Sequence, residues 1–554
     1  MAKLIKVNFR GIETKEFLQG TTLEEISDSF KKYYNYPILI GKKNNHLTEL
    51  THEIESNCDI DFLDRSSEEG SRVNAHSIQF LLILAAKKVL GYETEVQIEN
   101  SLDNGVYCEI KGANLDKPIL KKIESKMKEI KELDLKYTKV NVSRIDAIEF
   151  YKRKKRLDKV NMLKYISNSF VNLYRLDDVY DYFFSELAQS TNDLSDFKLT
   201  YIKDNGFVLS YPSASNPEMT LDYIHKPMVH NTFYNYTAWA RTVGISNASD
   251  LNKIVSLGKY NDVIRLAETH YEGQLAIIAE QIYQNKDNIK LVLLAGPSSS
   301  GKTTTAKKLG IYLQSKGFKT NYISIDDYFL EKSETPKDEN GEYDFESIEA
   351  LDLELFNKHL VKLLAGEKVL MPEYNFVLGK KEYKKRYLQL EKNDILIIEG
   401  LHGLNDRLTS AIKRKNKFKV FICPYTQINI DNHNYVHTSD TRKLRRIVRD
   451  NKTRGKGTAE TLKMWKKIHA GEMKNIFPFQ SDIDAIINSA LVYEIGVLKT
   501  YAEPLLFSVD EKDEMYPEAI RLINLLRNFL PIPSDDIPRD SVLREFIGKS
   551  GFDA

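Results

Sequence analysis

Within these 554 residues, Gly296-Pro297-Ser298-Ser299-Ser300-Gly301-Lys302-Thr303 is the segment whose residue types and spacing most plainly do chemistry. The order G-x-x-x-x-G-K-[ST] builds a phosphate cradle. Its glycines let the main chain turn so that N–H groups converge, the lysine reaches β- and γ-phosphates, and the threonine hydroxyl can sit on Mg²⁺. The run before it (289–295) reads as a buried strand. The run after it (304–314), with Ala306, Leu309, Ile311 and Leu313, reads as a helix whose positive N-terminal end faces the same anion. Gly296, Ser298, Ser299, Ser300, Gly301, Lys302, Thr303 and Thr304 are therefore the expected nucleotide contacts.

Two further strands are expected to end in carboxylates. Residues 321–325 lead into Asp326-Asp327-Tyr328-Phe329, and 395–398 lead into Glu399-Gly400. In a parallel α/β sheet the C-terminal strand ends line the ligand crevice. There Asp326 can accept a proton from an attacking hydroxyl or hold Mg²⁺ through water, and Glu399 can hold it opposite Thr303. Taken alone, an Asp-Asp pair at a strand end is more often a turn or a helix cap. A buried carboxylate without a partner is costly, which makes an ion or a hydrogen-bond network the expected company of Glu399. Arg446 and Arg449 are three apart and share a helical face, with Arg454 expected in the loop that follows. Arginines so placed can neutralise a transferring phosphoryl group, whereas a charge run elsewhere is a solvated helix. His433 and His437 have i, i+4 spacing in a polar stretch without an H-E-x-x-H pattern, so they are expected to be loop residues.

GPSSSGKTT, ISIDDYF, YDFESIEALD, PEYNF, IIEGLH and RRIVRDNKTRG, over roughly 290–510, resemble the uridine kinase and phosphoribulokinase family in order and spacing. The resemblance implies a P-loop kinase that uses ATP and Mg²⁺ and a small-molecule, nucleoside-like hydroxyl acceptor. It implies Asp326 as catalytic base, with Lys302, Arg449 and Arg454 assisting transfer and Arg446 near the nucleotide. Thr303, Glu399 and Asp326 fall at the metal, and Asp327, Tyr328, Asp344, Glu346 and Tyr374 on the substrate side. Either Asp344 or Glu346 would contact a ribose. The chain departs from the nucleoside kinases at Gly379, where a base-reading histidine usually stands. Lys380, Lys381, Lys384, Lys385 and Arg386 lie nearby, which leaves a sugar or a phosphorylated metabolite as alternative acceptors. The segment from Ile537 to Gly548 is unlike the compact uridine kinases.

The front of the chain resembles other modules. IKVNFRGIETKEFLQGTTLEEIS with YNYPILIGKKNN resembles the TGS domain, a β-grasp unit of threonyl-tRNA synthetases, and Thr21/Glu24 and Thr22/Glu25 have capping-box spacing. HSIQFLL, expected to start a helix at His76, and DNGVY, expected as a turn at Asp103-Asn104 into a strand, resemble the editing domain of those synthetases. That family carries two histidines four apart and a later Cys-x-x-x-His. Here the positions hold His76, Phe80, Phe183 and Leu187, and phenylalanine and leucine can neither ligate a metal nor shuttle a proton. The editing chemistry is expected to be lost.

The expected architecture is a multidomain α/β chain: a β-grasp unit (1–66), an α+β editing-like unit (67–225), a helical connector (226–285) and a parallel-sheet P-loop kinase with a C-terminal extension (286–554). Lys+Arg 80 against Asp+Glu 79 gives no general attraction to nucleic acid or membrane. Cys58, Cys108 and Cys423 are too few and too scattered for a disulfide framework. The longest apolar runs look too short to span a bilayer, and a cytoplasmic protein is expected. The competing expectation is an RNA- or ribosome-linked ATPase in which the front units bind RNA; oligomerisation is left open. A GTPase would need an N-K-x-D motif, which is missing.

Overall fold

The structure, a computed structural model, describes residues 3–102, 105–338, 341–376, 378–425 and 428–552. The turn expected at Asp103-Asn104 lies outside them.

The first unit is a five-stranded sheet over one short helix. Strand Leu4–Phe9 pairs antiparallel with Glu13–Leu18 and parallel with Cys58–Asp64. Helix Leu23–Asp28 starts in a reciprocal capping box: Thr22 accepts from the Glu25 amide, and Glu25 accepts from the Thr22 amide.

Next comes helix Glu68–Leu90, capped by Ser67, which accepts from the Gly70 amide. It starts at Glu68 rather than at His76, because the cap precedes a longer apolar run than the histidine motif marks. Among the described residues it is the one helix long and apolar enough to cross a membrane, contrary to the expectation of short apolar runs. Its middle, from Phe80 to Ala86, is instead buried in the unit's own core, with Val96, Val106, Ile123 and Leu209.

The connector is helical, as Pro227–Thr242, Ala248–Ser256 and Tyr260–Gln284. The last of these lies on the kinase core, where Tyr271 and Leu275 share one hydrophobic cluster with Ala306 and Leu309. The Tyr271 hydroxyl meets Thr305 Oγ1 at 2.6 Å.

The sheet that carries the phosphate loop has five parallel strands in the order Lys319–Ser324, Asp394–Glu399, Leu291–Ala295, Lys417–Cys423, Ala485–Asn488. Leu291–Ala295 is central and buried throughout, which is why it reads as an unbroken apolar run. Strands Lys319–Ser324 and Asp394–Glu399 are adjacent and end level, with Ser324 opposite Glu399. The phosphate loop and both predicted carboxylates thus open onto one edge.

Candidate active site

The loop geometry follows from its glycines. A Cβ on Gly296 would stand 2.0 Å from the Ile422 carbonyl oxygen, so only glycine fits there. Ser299 (φ 60°) and Gly301 (φ 89°) are both left-handed, the handedness that folds successive N–H groups into an anion-binding concavity. Helix Lys302–Gln314 begins directly after Gly301. Lys302 folds back over the loop, and Nζ donates to the carbonyls of Gly296 (3.1 Å) and Pro297 (3.2 Å). The Ser298 amide donates to Glu472 Oε1 at 2.8 Å, and the Thr304 amide donates to Glu545 Oε2 at 3.2 Å. Neither glutamate carries a signal in the sequence.

Asp326 sits in the short 3₁₀ turn Ile325–Tyr328 that follows its strand, with its side chain open to solvent. The crevice around it pushes its carboxyl up, chiefly by desolvation, with Lys302 and Arg454 pulling down and Asp327 pushing up. Glu399 is pushed up to about 7, first by desolvation and then by the charge of Asp326; Lys302 opposes and Glu545 adds to the rise. The Ser324 hydroxyl donates to Glu399 Oε1 at 3.3 Å. Glu346 also rises to about 7, through desolvation and Glu472, against Arg446 and Lys302. Three carboxyl groups thus lie within electrostatic reach of Lys302; desolvation is the main cause of each rise, and the Asp326 charge adds to it at Glu399 and Glu346, a state that a divalent cation would relieve. Among the described residues no group of three or more His, Cys, Asp or Glu forms a metal cage.

Arg454 is the last residue of helix Thr438–Arg454, rather than part of the loop after it. Arg446, Arg449 and Arg454 all face one fully buried carboxylate, Asp450, at 3.1, 2.9 and 3.6 Å. One negative charge orients three guanidinium groups and leaves a surplus of positive charge toward the loop. Arg446 donates to Ser298 Oγ at 2.6 Å. The helix is bolted down by Arg445, whose Nε donates to the buried Glu494 at 2.7 Å and whose other nitrogens reach the Ser489 (2.7 Å) and Ser299 (3.3 Å) carbonyls. Most of this helix is thus a wall of the site. A lid that carries it off with the product would have to break that anchor.

On the substrate side the structure sorts the expected residues. Asp344 accepts from the Glu346 amide at 3.1 Å; it shapes the turn, and Glu346 is the one facing Lys302. A Cβ on Gly471 would meet Glu346 Cβ at 2.7 Å, so the absent side chain is what admits the glutamate. Tyr328 does not reach the crevice: it is fully buried, with its hydroxyl 3.0 Å from His359 Nδ1. Asp327 accepts from Arg386 at 3.0 Å. Lys381 pairs with Asp352, and Lys384 pairs with Glu373 at 2.8 Å. Three of the five basic residues of this stretch, Lys381, Lys384 and Arg386, are thus each paired with a carboxylate. Tyr374 is buried against Phe329 and Phe376 with ring centroids 5.6 and 5.0 Å apart. Its hydroxyl has no hydrogen-bond partner among the described residues. Phe376 and Phe345 are exposed around it. Gly379 is left-handed (φ 66°), and a Cβ there would come within 2.9 Å of Lys332, so a histidine could not enter without rearrangement.

Residues 291–495 match the Phosphoribulokinase / Uridine kinase family. A uridine kinase of Brevibacillus brevis is 32% identical over 170 residues, covering 30% of this chain and 70% of that protein. The chain belongs to the phosphoribulokinase/uridine kinase family. A uridine kinase of Halobacterium salinarum is 29% identical over 164 residues, covering 29% of this chain and 63% of its own. The front half is similar to other proteins: a threonine–tRNA ligase of Acetivibrio thermocellus is 24% identical over 201 residues, 35% of this chain. This chain spans 31% of that ligase, about a third of its length.

In the ligase-like unit the positions of the expected polar groups are apolar and closed. Phe80 packs on Phe183 at 5.2 Å between centroids, an apolar plug in which Leu187 is also buried. His76 Nδ1 lies 2.6 Å from Ser185 Oγ, and burial pushes the imidazole down to about 3. His433 lies in the loop before the arginine helix, as expected, and is buried there: its Nδ1 bonds Asp181, and Lys159 bridges Asp181 (2.9 Å) and Asp431 (3.0 Å). His437 is partly buried, and its Nε2 lies 2.8 Å from the Tyr435 hydroxyl. The stretch leading into the arginine helix is thereby docked on the front unit, where the Ile98 amide also donates to the Asn432 carbonyl at 2.8 Å.

Proposed function

We propose that this protein transfers the γ-phosphoryl group of ATP to a hydroxyl of a nucleoside-like small molecule. The observation that carries the reading is Asp326: an aspartate open to solvent at a strand end, within electrostatic reach of Lys302 and Arg454. In this reading the loop amides and Lys302 hold the β- and γ-phosphates. Arg446, Arg449 and Arg454 meet the charge of the migrating phosphoryl group. Asp326 takes the proton of the acceptor hydroxyl as its oxygen bonds to phosphorus, and ADP leaves. A Mg²⁺ held through Thr303, Glu399 and Asp326 would neutralise phosphate charge. The exposed aromatic wall of Phe345 and Phe376 offers a face for a planar ring, and the orphan hydroxyl of Tyr374 offers a hydrogen bond.

The editing-like unit serves in this reading as a structural partner without editing chemistry, since Phe80, Phe183 and Leu187 fill the positions that would need polar groups. The reading is tested by following ADP release from ATP·Mg²⁺ across a panel of nucleosides and sugars. Turnover should depend on one acceptor class and disappear in Asp326→Ala and Lys302→Ala. Hydrolysis stimulated by RNA and indifferent to every small acceptor would overturn it.

A further inference from the structure

The C-terminal segment that sets this chain apart from compact uridine kinases reaches into the phosphate loop. Val542 lies on Gly301, where a Cβ would be 2.2 Å from its Cγ2. Lys308, on the helix after the loop, bonds Asp540 at 2.8 Å, and Lys452 of the arginine helix donates to the Ile547 carbonyl at 2.7 Å. Val542, Leu543, Phe546 and Ile547 belong to the main core cluster, and Arg445 stacks over Phe546 at 5.0 Å. The segment is fixed framework. One polar group projects from it to the loop: Glu545 Oε2 accepts from both the amide (3.2 Å) and the hydroxyl (2.9 Å) of Thr304.

The Thr304 amide is one of the first-turn N–H groups that have no partner inside their own helix, because the first helical bond here runs from Thr305 to the Gly301 carbonyl. Such amides, at the positive end of a helix dipole, are what a nucleotide phosphate uses. A carboxylate makes the same two-donor contact and carries the same sign of charge. The other loop carboxylate, Glu472, is fully buried and paired with Arg442, so it is locked. Glu545 is only half-buried, and the side-chain hydrogen bonds it makes among the described residues are to Thr304 alone.

We propose that Glu545 is a built-in competitor of the nucleotide: its carboxylate holds the phosphate-binding donors of Thr304 and must swing away for a nucleotide to seat. The inference rests on the nucleotide-site reading above and deepens it. The device sets how tightly nucleotide is held, because part of the binding free energy goes into breaking two charge-assisted hydrogen bonds. It also discriminates against weak anions, which cannot displace a tethered carboxylate.

The test is calorimetric titration of the full-length protein with ADP, in the parent chain, Glu545→Gln, Glu545→Ala and Lys302→Ala. Both Glu545 variants should bind ADP at least about tenfold more tightly than the parent, the lower end of what charge-assisted hydrogen bonds that no longer have to be broken would give. Glu545→Gln keeps the shape of the side chain and so guards against a folding defect in Glu545→Ala. Equal or weaker ADP binding in Glu545→Gln, with unchanged thermal unfolding, would overturn the inference. So would an ADP complex in which Glu545 still bonds Thr304. The two layers separate cleanly. Lys302-dependent ADP binding that ignores Glu545 sinks this inference alone, whereas ADP binding by none of the four proteins sinks the nucleotide site and the competitor together.

Discussion

Replacing Glu494 by glutamine should cost this protein about 3 kcal/mol, the lower end of the range for breaking a buried ion pair. Glu494 and Arg445 are both fully buried, and their contact is 2.7 Å. Glutamine keeps the shape and one acceptor oxygen but leaves the guanidinium without a counter-charge. Arg445 would still hold the Ser489 and Ser299 carbonyls, which is why the lower end applies. Arg445→Met removes the cation instead, leaving the carboxylate with only the Leu491 amide at 3.0 Å and no counter-charge and taking the donor from those carbonyls, so its cost should reach about 4 kcal/mol. Arg445→Met/Glu494→Leu removes both charges and should be less destabilised than the sum of the single changes by about 2 kcal/mol. The assay is urea unfolding followed by tryptophan fluorescence. One of the two tryptophans, Trp465, lies under Arg442 at 4.9 Å and reports this wall of the site. With a slope of about 3 kcal/mol per molar urea, Glu494→Gln should move the midpoint down by about 1 M. An unchanged midpoint would refute the claim that this pair anchors the arginine helix to the loop.

Two further outcomes follow from the carboxylates and the aromatic wall. Glu399 and Glu346 are raised from 4.5 to about 7, so between those pH values the folded chain holds more protons than the unfolded one. Their contribution to stability is full at the acid end and is lost as pH rises through about 7. Thermal unfolding of the metal-free protein at pH 5 and pH 8 should therefore show a smaller drop for Glu399→Gln than for the parent, and added Mg²⁺ should stabilise the parent more at pH 8; identical pH slopes would contradict this. Tyr374→Phe removes a buried hydroxyl that has no partner, so stability should hold or rise by up to about 1 kcal/mol. The KM for the acceptor should rise about tenfold if the acceptor supplies that partner, and steady-state kinetics with an unchanged KM would count against it.

What was legible in the sequence was local. The loop at 296–303 is specified by its own glycines and by its flanking strand and helix, and Asp326 and Glu399 are specified by their places at the ends of apolar runs. The residues that organise the site come from elsewhere in the chain: Asp450 among its arginines, Glu472 and Glu494 from helices packed against the loop, and Glu545 from near the C-terminus. Nothing in their spacing marks them, because long-range packing creates their roles. The burial of the loop residue His433 is illegible for a related reason. Its neighbours are polar, as in a solvated loop, and only the docking of a second domain, with Lys159 and Asp181, supplies the partners that make its burial affordable. Tyr328 follows two site aspartates in sequence, but the tight 3₁₀ turn swings it into the core.

The central claim, that the loop and Asp326 hand a phosphoryl group to an alcohol, is tested most directly by tracking the γ-phosphate itself. With γ-labelled ATP, Mg²⁺ and the accepted substrate, the label should appear in an organic phosphate ester, in an amount that Asp326→Asn lowers by about 100-fold or more. Label released solely as inorganic phosphate, at a rate no acceptor changes, would contradict the account.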